Sequence, residues 1–164
     1  MKIVSYARNI SRIMSSANSL EGIDFTGQDL HRFALSGENM MKSLLIRIDG
    51  RNLELKGTWL HNSDMSNSDF SGAFFDRCIA TGSIIKNSRI AYASMIQSDF
   101  SFCDFSGSVI VNCDFSNALL TDVRLENVYF NSEVIWPHGF NPVLYGGILD
   151  DNVAFLKNSS WRSV

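Results

Sequence analysis

Large apolar side chains recur at every fifth position between residues 25 and 130. In this range every residue whose number is divisible by five is large and apolar, except Gly50 and Ala80. A period of five matches neither the 3.6 residues of a helical turn nor the two-residue alternation of a flat strand. The pattern therefore predicts a chain that buries one large residue and turns a corner every five residues.

The five positions of the repeat differ in character, and we number them as columns. Gly22, Ile23, Asp24, Phe25 and Thr26 open the first to fifth columns. From residue 58 onward the second column holds only small or short side chains, which predicts that it lies where the wall comes close to the core. The fourth column supplies the predicted core residues Phe25, Leu30, Leu35, Leu60, Phe70, Phe75, Phe100, Phe105, Phe115, Leu120 and Phe130.

Four such corners close a square coil. Residues 22–131 contain 110 residues, or 22 pentads without insertion or deletion, and 22/4 gives about 5.5 coils. Because coils of this kind pair through β-like backbone at roughly 4.8 Å, we predict an all-β solenoid. Six second-column residues are too large or too polar for the inner position, so we expect distortion of the first two coils or contacts with the N-terminal segment: Ile23, Gln28, Phe33, Glu38, Ile48 and Leu53.

The pentads resemble those of the pentapeptide-repeat family. That family's consensus is alanine, then aspartate or asparagine, then leucine or phenylalanine, then two free positions. NSDFS at 67–71, QSDFS at 97–101 and NCDFS at 112–116 carry the resemblance, which covers residues 22–131, about two-thirds of the chain. The resemblance implies a right-handed quadrilateral β-helix, and the handedness comes from the resemblance alone.

Both ends of such a rod expose apolar columns and unpaired backbone, so we expect caps. Residues 1–21 have apolar residues at three- and four-residue steps, which predicts an amphipathic N-terminal cap helix. Their Arg- and Ser-rich composition also fits an organelle-targeting or secretion signal. Residues 132–164 break the period and are expected to form a C-terminal cap. Their surplus of apolar residues would also let two rods dimerise end to end, as in some relatives.

The composition excludes several function classes. The chain has 164 residues, a formal charge of −3 and no long apolar stretch, so we expect neither a membrane nor nucleic acid as a direct partner, and a cytoplasmic location. Cys78, Cys103 and Cys113 fall in the second column on three different walls, which predicts buried thiols with neither a disulfide nor a metal site. No motif indicates a cofactor or a catalytic site, so we expect no enzyme activity.

The outward columns contain an apolar set on the wall of Leu60 and Phe100 and on its neighbour. The set consists of Met41, Trp59, Ile79, Phe102, Leu119, Phe74 and Ile96. A contiguous exposed patch with Trp and Phe favours a protein-binding or dimer face; the alternative is that the terminal segments fold back and cover it. The leading hypothesis is a non-catalytic interaction module with a protein partner. A further alternative is a secreted or targeted effector of the same fold, because residues 1–21 also fit a targeting or secretion signal.

A second outward set is acidic. Asp29, Asp49 and Asp69 occupy the same position in successive coils and would stack as a ladder at about 4.8 Å per step. Some pentapeptide-repeat proteins bind DNA gyrase by imitating duplex DNA, so the resemblance implies a topoisomerase modulator as the second hypothesis. Duplex DNA carries one charge per about 1.7 Å, much denser than this ladder. Residues 22–131 hold 13 acidic and 9 basic residues, a net charge of −4, which is mild for a mimic.

Overall fold

The computed structural model describes residues 19–153. Most of the expected cap helix over residues 1–21, and the last part of the expected cap over residues 132–164, lie outside the described residues. Within them the chain forms parallel backbone pairs between successive coils, from Asp24 with Leu44 to Asp99 with Leu119. The coil of four pentads predicted from the sequence is therefore the repeating unit of the fold.

Four ladders of third-column residues define four walls along residues 24–135. We name each wall by one member: the Asp104 wall (24, 44, 64, 84, 104, 124), the Asp49 wall (29, 49, 69, 89, 109, 129), the Phe74 wall (34, 54, 74, 94, 114) and the Trp59 wall (39, 59, 79, 99, 119). On the Asp49 wall the pairing widens into a parallel sheet in the order β1-β2-β3-β4, formed by Arg89–Ala91, Val109–Val111, Tyr129–Phe130 and Ile148–Leu149.

Every corner is made by a first-column residue in the left-handed conformation. All 22 first-column residues from Gly22 to Asn127 have a positive φ, between 51° and 78°. Seven of them are glycine and seven are asparagine, the residues that adopt this conformation most readily. At Gly72 an added Cβ would also crowd the Asn52 Oδ1 of the coil before, so the Asn52 side chain would have to move.

The fourth column fills the axis of the coil, as predicted. All eleven core residues expected from the sequence are buried. The aromatic members contact one another edge to face, with ring centroids 5.4 Å apart for Phe70 and Phe75 and 5.5 Å apart for Phe100 and Phe105. The exception at Gly50 has a packing reason, because a Cβ there would come within 2.9 Å of the Phe70 ring.

Serine hydroxyls of the second column join consecutive coils from inside. Ser88 Oγ donates to the Met65 carbonyl oxygen at 3.1 Å and accepts from the Ser68 N–H at 3.2 Å. Ser108 repeats the arrangement one coil further, accepting from the Ser88 N–H at 2.9 Å. The small side chain therefore does more than fit a narrow space, because its hydroxyl satisfies a backbone acceptor and a backbone donor of the preceding coil.

The expected distortion of the first two coils does not occur. Third-column pairing already has the regular spacing of 20 residues at Asp24 and Leu44 and keeps it through the first coils. Ile48 and Leu53 are buried within the second coil, and Ile23 and Phe33 are partly buried against the core. Large second-column side chains are therefore accommodated without a break in the pairing, by burial at Ile48 and Leu53 and by partial exposure at Ile23 and Phe33.

The coil continues beyond residue 131 with two shifts of register. Ile135 pairs with Asp114, one position later than the regular pairing, and Trp136 thereby stacks on Phe115 with ring centroids 4.9 Å apart. A 3-10 helix, Pro142–Tyr145, follows, with the Asn141 side chain accepting from the Val143 N–H. Ile148 then pairs with Tyr129, one position earlier than the regular pairing. Trp136 therefore continues the aromatic axis after the regular pentads end.

Two phenylalanines two positions apart test the assignment of the axis. We expect Phe100→Ala to lower the free energy of unfolding by about 3–5 kcal/mol, because it removes a buried ring that contacts three others. Phe102→Ala, whose side chain is exposed, should change it by no more than about 0.5 kcal/mol. Urea denaturation measures both, and equal losses would contradict the assignment.

Candidate protein-interaction surface

The Trp59 wall carries the largest apolar side chains that the repeats expose in one ladder. Trp59, Ile79, Asp99 and Leu119 are paired in consecutive coils. Their side chains point outward because the second- and fourth-column residues on either side point inward. Trp59 is 52% exposed and Leu119 57% exposed, while Ile79 is half-buried. Asp99 lies between Ile79 and Leu119 and interrupts the apolar ladder. This interruption was not taken into account in the apolar set chosen from the sequence.

Phe102 stands at the corner next to this wall in a strained conformation. Its φ is 61° and its side chain is 57% exposed. A bulky side chain in the left-handed region costs on the order of 1–2 kcal/mol relative to an ordinary conformation, and an exposed ring recovers little of that by packing. Strain held at an exposed aromatic residue is an observation that points to function.

Tyr92 is a second corner aromatic that sequence reasoning missed. It has a φ of 56° and is 67% exposed. Two walls of the coil separate Tyr92 from Phe102, so the two rings stand at opposite corners of the square. A search for aromatic residues in the first column, where glycine and asparagine dominate, would have found both.

The other residues of the predicted face are less exposed or lie on the neighbouring wall. Met41 and Ile96 are half-buried. Phe74 belongs to the Phe74 wall, where the ammonium of Lys56 lies 4.6 Å from the centre of its ring. A shallow groove lined by Lys56, Asp76 and Ile96 separates Phe74 from the Trp59 wall. The apolar surface is therefore strongest at Trp59, Phe102 and Leu119.

The acidic ladder forms in register, but neighbouring basic residues reduce its negative charge. Asp29, Asp49 and Asp69 are paired in consecutive coils, and Arg89 takes the next position. Arg51 donates two hydrogen bonds to Asp49, at 2.8 Å and 2.6 Å. Partial burial alone would raise the pKa of the Asp49 carboxyl, but the hydrogen bonds and charge of Arg51 outweigh it and hold the pKa below its usual range.

Third-column aspartates also have a structural role at the corners. Each carboxylate accepts a hydrogen bond from the N–H two residues later, as Asp69 does from Ser71 at 2.9 Å and Asp29 from His31 at 3.0 Å. This Asx-turn contact stabilises the bend into the next wall. A preference for aspartate at this position therefore needs no partner to explain it.

The three cysteines are free and buried on three different walls. Desolvation raises the pKa of the Cys103 and Cys113 thiols to about 12 and raises that of Cys78 well above its usual value. These thiols are poor nucleophiles and poor metal ligands. Among residues 19–153, no cluster of three or more His, Cys, Asp or Glu side chains is arranged to hold a metal ion. The same residues include no helix that is long and apolar enough to span a membrane.

Apolar side chains are also exposed at the C-terminal end of the described chain. They are Ile135, Val143, Leu144, Tyr145, Ile148 and Leu149. Ile148 and Leu149 form the edge strand β4 of the parallel sheet, and both are exposed. This end offers the contact surface that the dimer hypothesis requires.

The repeats have relatives among known families and structures. The family model for pentapeptide repeats matches eight copies, in residues 51–87 and 98–132. No curated protein matches the chain. The chain is similar in structure to Rfr23, a pentapeptide-repeat protein of the cyanobacterium Cyanothece 51142, with 14% identity, a TM-score of 0.48, and coverage of 72% of this chain and 87% of Rfr23.

Two further solved structures are similar at a lower TM-score. The pentapeptide-repeat protein alr5209 of Nostoc PCC 7120 shares 19% identity with a TM-score of 0.40, over 68% of this chain and 84% of alr5209. A trypsin-treated form of QnrB1, a plasmid-mediated fluoroquinolone resistance protein, shares 17% identity with a TM-score of 0.32, over 70% of this chain and 84% of that protein. None of these similarities carries information about function.

Thiol reactivity tests the burial of the cysteines. With a pKa of about 12, roughly one Cys103 thiol in ten thousand is ionised at pH 8. We expect no reaction of the native protein with Ellman's reagent at that pH, and reaction of all three thiols in guanidinium chloride. A thiol that reacts at once in the native protein would show that a second-column residue faces solvent.

Proposed function

Because the chain belongs to the pentapeptide-repeat family, we propose that it is a non-catalytic interaction module that binds a protein partner through the Trp59 wall. The observation that supports this most is the exposed set of Trp59, Phe102 and Leu119 around one wall of a rigid scaffold. Tryptophan and other aromatic residues are enriched among the residues that dominate binding energy.

The conformation of the scaffold favours binding without large rearrangement. Each coil is joined to the next by backbone pairing and by serine hydroxyls, so the spacing of Trp59, Ile79 and Leu119 is held by the fold. A pre-organised surface loses little conformational freedom when it binds. We also propose the right-handed winding that the family implies, with the 5.5 coils and the terminal caps predicted from the sequence, and assign the rod the role of a spacer that presents its walls.

Two features support a role without catalysis. The nucleophilic side chains with raised pKa, the three thiols, are buried. The groove lined by Lys56, Asp76 and Ile96 and the groove lined by Leu119, His138 and Tyr145 are open to solvent, whereas enzymes usually bind their substrates in enclosed pockets. Because the three thiols are unpaired, we propose that the chain works in a reducing compartment.

Topoisomerase modulation is the second candidate, and the register of Asp29, Asp49 and Asp69 is the observation in its favour. Two observations count against this candidate. Arg51 donates two hydrogen bonds to Asp49, and Arg89 takes the next position of the ladder in place of an aspartate. A DNA mimic needs a long run of uncompensated negative charge. We therefore rank topoisomerase modulation below binding of a protein partner through the Trp59 wall.

A homodimer through the C-terminal end is compatible with either function. The exposed apolar residues from Ile135 to Leu149 lie at the end of the rod, away from Trp59. Two rods joined there would present two Trp59 walls, which increases the apparent affinity for a partner with two sites.

Partner capture with matched variants tests the Trp59 wall. A partner is isolated from the native host with the tagged protein, identified, and its affinity measured by calorimetry. We expect Trp59→Asp and Phe102→Asp to weaken binding by about 30-fold or more, because each removes an aromatic contact and adds a charge at the centre of the interface.

Tyr92→Asp is the matched control, since Tyr92 is an equally exposed corner aromatic on the opposite side of the coil. It should leave the affinity unchanged. The proposal is wrong if all three variants bind as the wild type does, or if Tyr92→Asp weakens binding as strongly as Trp59→Asp.

DNA supercoiling by gyrase tests the second candidate. We expect no change in supercoiling, with or without a quinolone, when the purified protein is added in excess. Inhibition or protection that disappears in the triple variant Asp29→Asn, Asp49→Asn, Asp69→Asn would establish the acidic ladder as the binding surface instead.

A further inference from the structure

Each wall presents three backbone groups to the coil that follows. On the Trp59 wall the Cys78 carbonyl oxygen accepts from the Asp99 N–H at 2.9 Å, and the Ala80 N–H donates to the Asp99 carbonyl oxygen at 2.8 Å. The Gly82 N–H donates to the Ser101 carbonyl oxygen at 2.9 Å. A second-column acceptor and two donors, in the fourth and first columns, therefore form the edge to which the next coil binds.

Three walls continue their pairing past the regular pentads. On the Phe74 wall the Ile135 N–H donates to the Cys113 carbonyl oxygen at 2.9 Å. On the Asp49 wall the Ile148 N–H donates to the Val128 carbonyl oxygen at 2.8 Å. On the Asp104 wall the Leu125 N–H donates to the Tyr145 carbonyl oxygen at 3.1 Å.

The Trp59 wall is different, because its ladder ends at Leu119. The groups that would bind another coil are the Ala118 carbonyl oxygen, the Leu120 N–H and the Asp122 N–H, and within residues 19–153 none of them has a hydrogen-bond partner. Leu120 is almost fully buried. An unpaired N–H on a buried residue is rare and unfavourable in folded proteins.

A groove replaces the missing segment of coil. Leu119 and Thr121 line one side, and His138, Phe140 and Tyr145 line the other. The loop over 137–140 closes on itself, with the Phe140 N–H donating to the Pro137 carbonyl oxygen at 3.0 Å. Pro137 has no N–H to offer to the Trp59 wall. The groove thus combines an open strand edge with apolar and aromatic side chains.

We infer that this groove binds an extended segment of the partner protein as an added strand, parallel to residues 118–122. The segment would donate one N–H to the Ala118 carbonyl oxygen and accept from the Leu120 and Asp122 N–H groups through carbonyl oxygens two residues apart. This is the mode of peptide recognition by strand addition to a sheet edge. It deepens the proposed function and rests on it, since Leu119 belongs both to the Trp59 wall and to the groove.

The register defines the chemistry of the segment. The residue that pairs with Leu119 cannot be proline, because its N–H is needed, and its side chain points outward beside Leu119 and is best apolar. The following side chain points inward toward Phe140 and toward Leu120, which is already almost fully buried, so it is apolar. The expected partner segment is therefore a short sequence with two consecutive apolar residues.

Hydrogen exchange of the full-length protein tests the open edge. We expect the Leu120 and Asp122 amides to exchange about 100-fold faster than those of Phe100 and Phe102, which occupy the same positions one coil earlier and are paired. The probe is a blocked hexapeptide with the sequence of residues 57–62, Gly-Thr-Trp-Leu-His-Asn, which forms this wall three coils earlier. At saturation it should slow both amides by about 10-fold or more.

The control is the same peptide with an N-methyl group on its tryptophan, which removes the N–H that Ala118 would accept. It should protect neither amide. Slow exchange of both amides in the free protein, or equal protection by the two peptides, would overturn the inference. Trp59→Asp separates the two proposals: it leaves peptide protection intact, whereas it abolishes partner capture if the Trp59 wall is the binding face.

Discussion

A left-handed backbone conformation at every fifth residue is the constraint on which the rest of the structure depends. With a positive φ at each first-column position from residue 22 to 127, the chain turns four times in each coil and returns above its own start. The turn brings the amides of fourth-column residues onto carbonyl oxygens of the next coil, as for Phe100 and Leu119, up to Leu120, where this wall's ladder has ended. Glycine and asparagine adopt this conformation readily. Phe102 and Tyr92 adopt it at a cost in stability, so selection for stability alone would not have placed aromatic residues there.

The closed coil decides which side chains can carry function. Second- and fourth-column residues face inward, so the cysteines and most serines serve packing and internal hydrogen bonds, as Ser88 and Ser108 do. The outward third column is shared mainly between aspartates, which support the corners, and a similar number of apolar residues. The Trp59 wall carries the apolar set, and it is also the wall where pairing stops at Leu119. The two properties coincide on one side of the rod, which makes this side the best candidate for contact with a partner.

Much of this arrangement follows from the sequence, and the exceptions have physical reasons. The period alone placed the core residues and the buried thiols, because a coil of four pentads leaves no other position for them. It could not show that Ile48 and Leu53 would be buried within a regular coil, since that depends on how their side chains pack, which the period does not specify. It also could not place Trp136 on Phe115, because one extra residue shifts the register after the pentads end. Tyr92 was missed because the apolar set was chosen around the wall of Leu60 and Phe100, and Tyr92 stands at the opposite corner of the coil.

Scalar couplings across hydrogen bonds test the four-pentad coil most directly. In a deuterated sample, nuclear magnetic resonance detects a coupling between an amide nitrogen and the carbonyl carbon that accepts its proton. The fold predicts couplings from the amide nitrogens of Phe25, Leu60 and Phe100 to the carbonyl carbons of Leu44, Ile79 and Leu119, each in the following coil. Couplings to carbonyl carbons one helical turn earlier in the chain, or the absence of any coupling between successive coils, would contradict it.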